Sequence, residues 1–196
     1  MTNAIFASNL TKMKNKQTFA LALALVILAS FSRLVSHPMN FTPITALILF
    51  SVFAFDGKWR IIIPITAILL SDLFLEINAG IGFHSGTWLV YSAYILIGII
   101  GYLIIKKESL IQILFGSISA SISFFLLTNF ALFYPKITTS NGLGYTHNWA
   151  GIIASYTAGI PFFRNMLLGD VIYSAVLFGA LVLIKKTVPK LNWLNN

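Results

Sequence analysis

No cysteine occurs in the sequence, and only five of its 196 residues are acidic. The first absence removes a disulfide framework, thiolate metal sites and cysteine nucleophiles. The second leaves just 9% of the chain charged, against about a quarter in soluble domains. Such a chain cannot be wetted over its whole surface, and a lipid bilayer is its expected solvent. Zincin, nucleophile-elbow and phosphate-loop patterns are missing too. No cofactor is implied, and no repeat, low-complexity tract or linker divides the chain.

What is present is apolar: 58% of residues are hydrophobic and the mean hydropathy is +0.87. A bilayer core takes about 20 residues of helix, so this length allows about six spans. The net charge of +8 invites a nucleic-acid partner. Its distribution argues against one, because the basic residues sit in short clusters between apolar runs, as in cytoplasmic loops.

The runs predict spans at about 18–36, 43–55, 60–76, 87–105, 110–134 and 161–184. The second is short for a span and calls for a tilt or a locally thin bilayer. The connection 135–160 opens with a turn at 138–144 and then reads as a short interfacial or re-entrant helix over 148–159. The expected fold is an all-α, polytopic bundle of six transmembrane helices. Residues 1–17 form a cytoplasmic N-terminal segment, 18–186 the transmembrane domain, and 187–196 a cytoplasmic tail. Lys12, Lys14 and Lys16 resemble a signal-peptide n-region, but no Ala-x-Ala cleavage site follows, so the first span is retained.

With the N-terminus inside, ten of the thirteen basic residues fall on the cytoplasmic side. Only Lys136 and Arg164 lie outside, and Arg33 lies within a span. This satisfies the positive-inside preference and predicts a multi-pass protein of the cell (inner) membrane with both termini cytoplasmic. The outer connections then hold His37, His84 and His147, and the elaborate side is the outer one.

Ionisable side chains within spans cost several kcal/mol unless paired or hydrated, so they are expected to face the bundle interior or an aqueous cavity. Arg33, Asp72, Glu76, Arg164 and Asp170 all fall in the outer half, as do Thr128, Asn129 and Asn165. Arg33–Asp72 or Arg33–Asp170 ion pairs that only lock the bundle account for part of this pattern. A ligand pocket rimmed by aromatics, among them Trp88, Tyr91 and Phe162, accounts for it as well, although an ordinary interfacial belt explains many of these rings. The three histidines lack metal-ligand spacing, and no metal site is assigned. The serines at 117, 119, 121 and 123 read as small residues that permit close helix packing.

At His37-Pro-Met-Asn-Phe-Thr-Pro-Ile-Thr-Ala46, Ser71-Asp72-Leu73, Thr128-Asn129-Phe130 and the segment from Gly159 to Asp170, the chain resembles a family of uncharacterised bacterial six-span proteins. That family is similar to the substrate-binding S components of energy-coupling-factor (ECF) vitamin transporters. The resemblance implies an S-component-like bundle with its site under the outer loops. It also implies a vitamin-like small-molecule ligand, and a coupling protein with two ATPases as partners. Ala20 and Ala24, one turn apart on the first helix, would match the family's docking surface for the coupling protein. A corrinoid ligand bound through cysteine is excluded here.

The expectation is therefore a non-enzymatic uptake protein for a vitamin-like micronutrient. Arg33, Asn40, Asp72, His84, Trp88, Asn129, Arg164, Asn165 and Asp170 would line or support its ligand site. The alternatives are a membrane enzyme acting on a lipid or lipid-linked substrate, with Asp72 and Glu76 as its carboxylate pair, and a structural subunit without ligand.

Overall fold

The computed structural model describes residues 19–133 and 145–187. Among these the chain is all-helical. The helices are α1 (Phe19–Ser32), α2 (Ile44–Ala54), α3 (Trp59–Ala79), α4 (Thr87–Ile104), α5 (Leu110–Thr128) and α6 (Trp149–Thr187), with a short 3-10 turn at Ala131–Phe133. Segment 1–17, Lys136, the turn at 138–144 and residues 188–196 of the tail lie outside the described residues.

Helices α3, α4, α5 and α6 are each long and apolar enough to cross a bilayer, which marks a membrane protein; α1 and α2 are shorter. Large apolar side chains such as Leu28, Ile61, Ile95, Ile111 and Leu183 stay exposed on the outside of the bundle, as lipid contact requires.

The expected second span is the centre of the fold. Helix α2 has 11 residues, about 16 Å of helix, too little for a hydrocarbon core of about 30 Å. Its residues from Ile44 to Ser51 are all buried, and it packs against α3, α4, α5 and α6. Neither tilt nor a thin bilayer is needed, because protein rather than lipid surrounds it. Helix α4 comes close enough that a Cβ on Gly101 would lie 2.9 Å from Leu49 Cδ2. Helix α1 packs on α3, where Ser30 Oγ donates to the Ala67 carbonyl at 3.1 Å.

Two boundaries differ from expectation. Helix α5 stops at Thr128 rather than continuing to 134, and the Asn129 amide nitrogen caps it by donating to the Phe125 carbonyl. The separate helix expected at 148–159 is the first part of α6, which runs unbroken through Pro161 for 39 residues, about 58 Å. Proline removes one backbone donor from a helix interior. Tertiary contacts to α5 offset that loss: Ser155 Oγ donates to Asn129 O, and Tyr156 Oη donates to Leu126 O. The Phe125 ring also packs between Tyr156 and Phe163.

Successive helices alternate in direction, which gives the bundle two unlike ends. One end carries Lys58, Arg60, Lys106, Lys107, Lys185 and Lys186, with Lys185 paired to Glu108. The other carries Arg33, Asp72 and the connections 33–43 and 80–86.

Candidate functional site

At the Arg33 end, Asp72 joins three helices. Its position on α3 is buried, at 5% exposure. Arg33, just past the end of α1, donates from Nη1 to Asp72 Oδ1 at 2.5 Å and to Ser71 Oγ at 2.6 Å. The Tyr91 hydroxyl of α4 donates to Asp72 Oδ2 at 2.7 Å. Both carboxylate oxygens are engaged, so the negative charge is matched by one cation and one neutral donor. A buried carboxyl group is tolerated where such partners satisfy both of its oxygens.

A cavity of about 290 Å³ opens beside this junction, at the small end of the range for ligand pockets. Arg33, Asn40, Asp72, His84 and Asn129 line it, so five of the nine residues expected at the site meet there. Asn40 adopts the left-handed backbone conformation, φ 64°, in the connection that folds over the cavity. The aromatic wall comes from Tyr91, Tyr94, Phe124 and Phe162.

The connection 80–86 is held tightly against α3. Glu76 Oε2 accepts the backbone N–H groups of Gly82 and Phe83, each at 3.0 Å. A Cβ on Gly82 would lie 1.9 Å from the Asp72 carbonyl oxygen, so only glycine fits. His84 Nδ1 accepts the Gly86 N–H at 3.1 Å, which leaves Nε2 as the donor of the neutral ring. Among the described residues, Arg33 Nε and Nη2 have no hydrogen-bond partner. With Asp72 already engaged, the charged and ring groups facing the cavity offer donors. That complements a solute rich in acceptors.

The other four expected residues lie elsewhere. Trp88 is exposed and packs edge-on against Phe133, with ring centroids 6.0 Å apart. Arg164 is on an exposed face of α6, a place an arginine tolerates by extending its side chain toward an interface. Asn165 Nδ2 donates to Met39 O at 3.1 Å and ties α6 to the connection over the cavity. Asp170 is 1% exposed in a separate cluster of hydroxyls. Ser121 Oγ donates to its Oδ2 at 2.6 Å, and Ser117 Oγ donates to Ser174 Oγ at 2.8 Å. Arg33 thus pairs with Asp72 and not with Asp170. Glu76 is exposed, contrary to the expectation that every span carboxylate faces inward; it sits in the last turn of α3, within reach of the connection it holds.

Sequence reasoning missed Tyr94, Phe124, Thr87 and Gly82, and it treated Tyr91 only as a rim aromatic. A usable signal was present on α4: Tyr91, Tyr94, Gly98 and Tyr102 recur at helical spacing on one face. Ala20 and Ala24 are exposed on α1, whereas Ala22 and Ala29 pack into the core.

Residues 13–191 match the model of a family of unknown function, DUF6580, and the chain belongs to that family. No curated protein and no solved structure matches the chain.

Proposed function

We propose that this DUF6580 protein is a membrane-embedded binding protein that captures a small organic micronutrient from the outer side, in the manner of an S component. The observation that carries the reading is the cavity at the Arg33 end. A cation with free donors, a histidine N–H and two asparagines there face aromatic walls, the mixture that fixes a partly apolar, acceptor-bearing solute. The lysines gathered at the opposite end support a cytoplasmic placement of that end and an external one of the Arg33 end. On this reading the exposed Ala20–Ala24 face of α1 is free to meet a coupling protein, and energy from ATP is supplied by partners.

The membrane-enzyme alternative needs a carboxylate pair at one interface. Asp72 is held by Arg33 and Tyr91, and Glu76 Oε2 holds the backbone of the connection 80–86, so both carboxylates have a structural task, which favours the binding reading.

Native mass spectrometry of the full-length protein released from its own membranes tests the proposal. The expected result is one small molecule retained per chain by the wild type and lost in Arg33→Gln. Retention of nothing by the wild type, or equal retention by the variant, refutes it.

A further inference from the structure

A second hollow runs down the side of the bundle from the first. It has a volume of about 720 Å³ and lies between α3 and α4, with Ile48 and Val52 of α2 as its floor. Among the described residues, no part of α3 comes within 8 Å of α4, Cα to Cα. Two bridges join the helices near the ends of this trough. At one end the Tyr91 hydroxyl reaches Asp72. At the other, the Arg60 guanidinium lies over the Tyr102 ring, 6.0 Å from its centroid, and is anchored to Phe55 O and Asp56. Between them the walls are almost wholly apolar: Ile61, Ile65 and Leu69 from α3, and Ile95 and Ile99 from α4, with Gly98 widening the α4 side.

The trough and the Arg33 cavity share two side chains, Tyr91 and Tyr94. Asp72 continues the stripe of α3 that carries Ile61, Ile65 and Ile68, so one helix face passes from apolar trough to polar cavity. From Asp72 to Arg60 is twelve residues, about 18 Å. A molecule with a polar head and one apolar tail matches that change of surface along its length.

We propose that the ligand is a single-tailed amphiphile. Its acceptor-bearing head, of carboxylate type, lies under Arg33 and His84, and its apolar tail lies in the trough between α3 and α4. The proposal rests on the Arg33 cavity being the binding site. It goes further by assigning a tail, a length limit set by the Arg60–Tyr102 bridge, and a path along the lipid-facing side of the bundle.

The test uses full-length protein in phosphatidylcholine nanodiscs, with empty nanodiscs as the blank. The probes are dodecanoic acid and hexanoic acid, the latter too short to reach Ile65 from Arg33. Ile65→Trp/Ile99→Trp fills the trough from two exposed positions, so the core is untouched; gel filtration checks the fold. Dodecanoic acid should bind at one equivalent, and both the tryptophan pair and Arg33→Gln should weaken it at least tenfold. Hexanoic acid should be weakened by Arg33→Gln alone. If Arg33→Gln acts but the tryptophan pair leaves dodecanoic acid unaffected, the tail assignment is overturned and the cavity reading stands. If dodecanoic acid binds regardless of Arg33, the trough holds only bulk lipid and the proposal is overturned. If neither acid binds, the carboxylate-headed amphiphile is overturned. A non-amphiphilic molecule retained through Arg33 would then still support the cavity alone.

Discussion

The Arg33–Asp72 pair separates a bundle lock from a ligand site when it is removed in two stages. Arg33→Met leaves the Asp72 carboxylate with only the Tyr91 hydroxyl, and Asp72→Leu leaves the guanidinium with only Ser71. Breaking a buried pair from one side costs about 3–5 kcal/mol, because an uncompensated charge remains. The side chains here are 19% and 8% exposed, which places each single variant near the lower end, about 3 kcal/mol. Arg33→Met/Asp72→Leu removes both charges and strands only the Tyr91 hydroxyl, for about 1–2 kcal/mol. The double variant should therefore be more stable than either single one in a detergent-unfolding titration, while native mass spectrometry finds no retained solute. Stability losses that simply add would show that the two groups are not coupled. A double variant that still holds its solute at wild-type occupancy would remove the cavity from consideration as the site.

Gly82→Ala should abolish solute retention while the helical signal persists, since the new methyl meets the α3 backbone at Asp72 and displaces the connection 80–86 by about 1 Å, enough to spoil a preorganised site; retention at the wild-type level would contradict this. Tyr91→Phe removes one donor from Asp72 and should lower stability by about 1.5–3 kcal/mol in the same unfolding titration. Asp170→Asn keeps an acceptor for Ser121 and should be nearly silent, whereas Asp170→Leu should lose about 0.5–1.5 kcal/mol, since the Ser121 hydroxyl keeps the Ser117 carbonyl as acceptor, with solute affinity per folded molecule unchanged in both. Lys185→Ala should shift stability by less than about 1 kcal/mol, as expected for a pair at the rim of the bundle.

Length and hydropathy made α3 and α4 legible to within a few residues, because a span bounded by a polar turn is a local signal. The run 43–55 was legible as a helix, but its burial by four neighbours was not, since an apolar 11-mer reads the same in lipid and in protein. The end of α5 and the continuity of α6 depend on contacts between Asn129, Phe125, Ser155 and Tyr156, which no local pattern encodes. For the same reason the expected last span began at 161, where the helix is already about three turns long. At the site, depth along the helices brought Arg33, Asp72 and Asn129 to one end, the connections 37–42 and 77–86 brought Asn40 and His84 there, and all five line the same cavity. Depth carries no information on rotation about the helix axis. Arg164 and Trp88 share that depth and face away.

Asp72 and Asp170 illustrate the limit of depth most clearly. Both are buried carboxylates on spanning helices, and the sequence offers no reason to separate them. Asp72 has a cation at 2.5 Å, lines a cavity, and sits under a connection that admits only glycine at position 82. Asp170 faces the hydroxyls of Ser121 on α5 and Thr45 on α2, and among the described residues no cation pairs with it. Serines at 117 and 121 let α5 approach α6 closely, and their hydroxyls then supply hydrogen bonds that a close-packed apolar contact would lack. An oxygen cluster of that kind fixes the crossing of two long helices. A charged pair with spare guanidinium donors beside an open volume is arranged to accept a further group. On the proposed function, the bundle holds its shape at one aspartate and binds solute beside the other, and substitutions at the two should separate stability from solute capture.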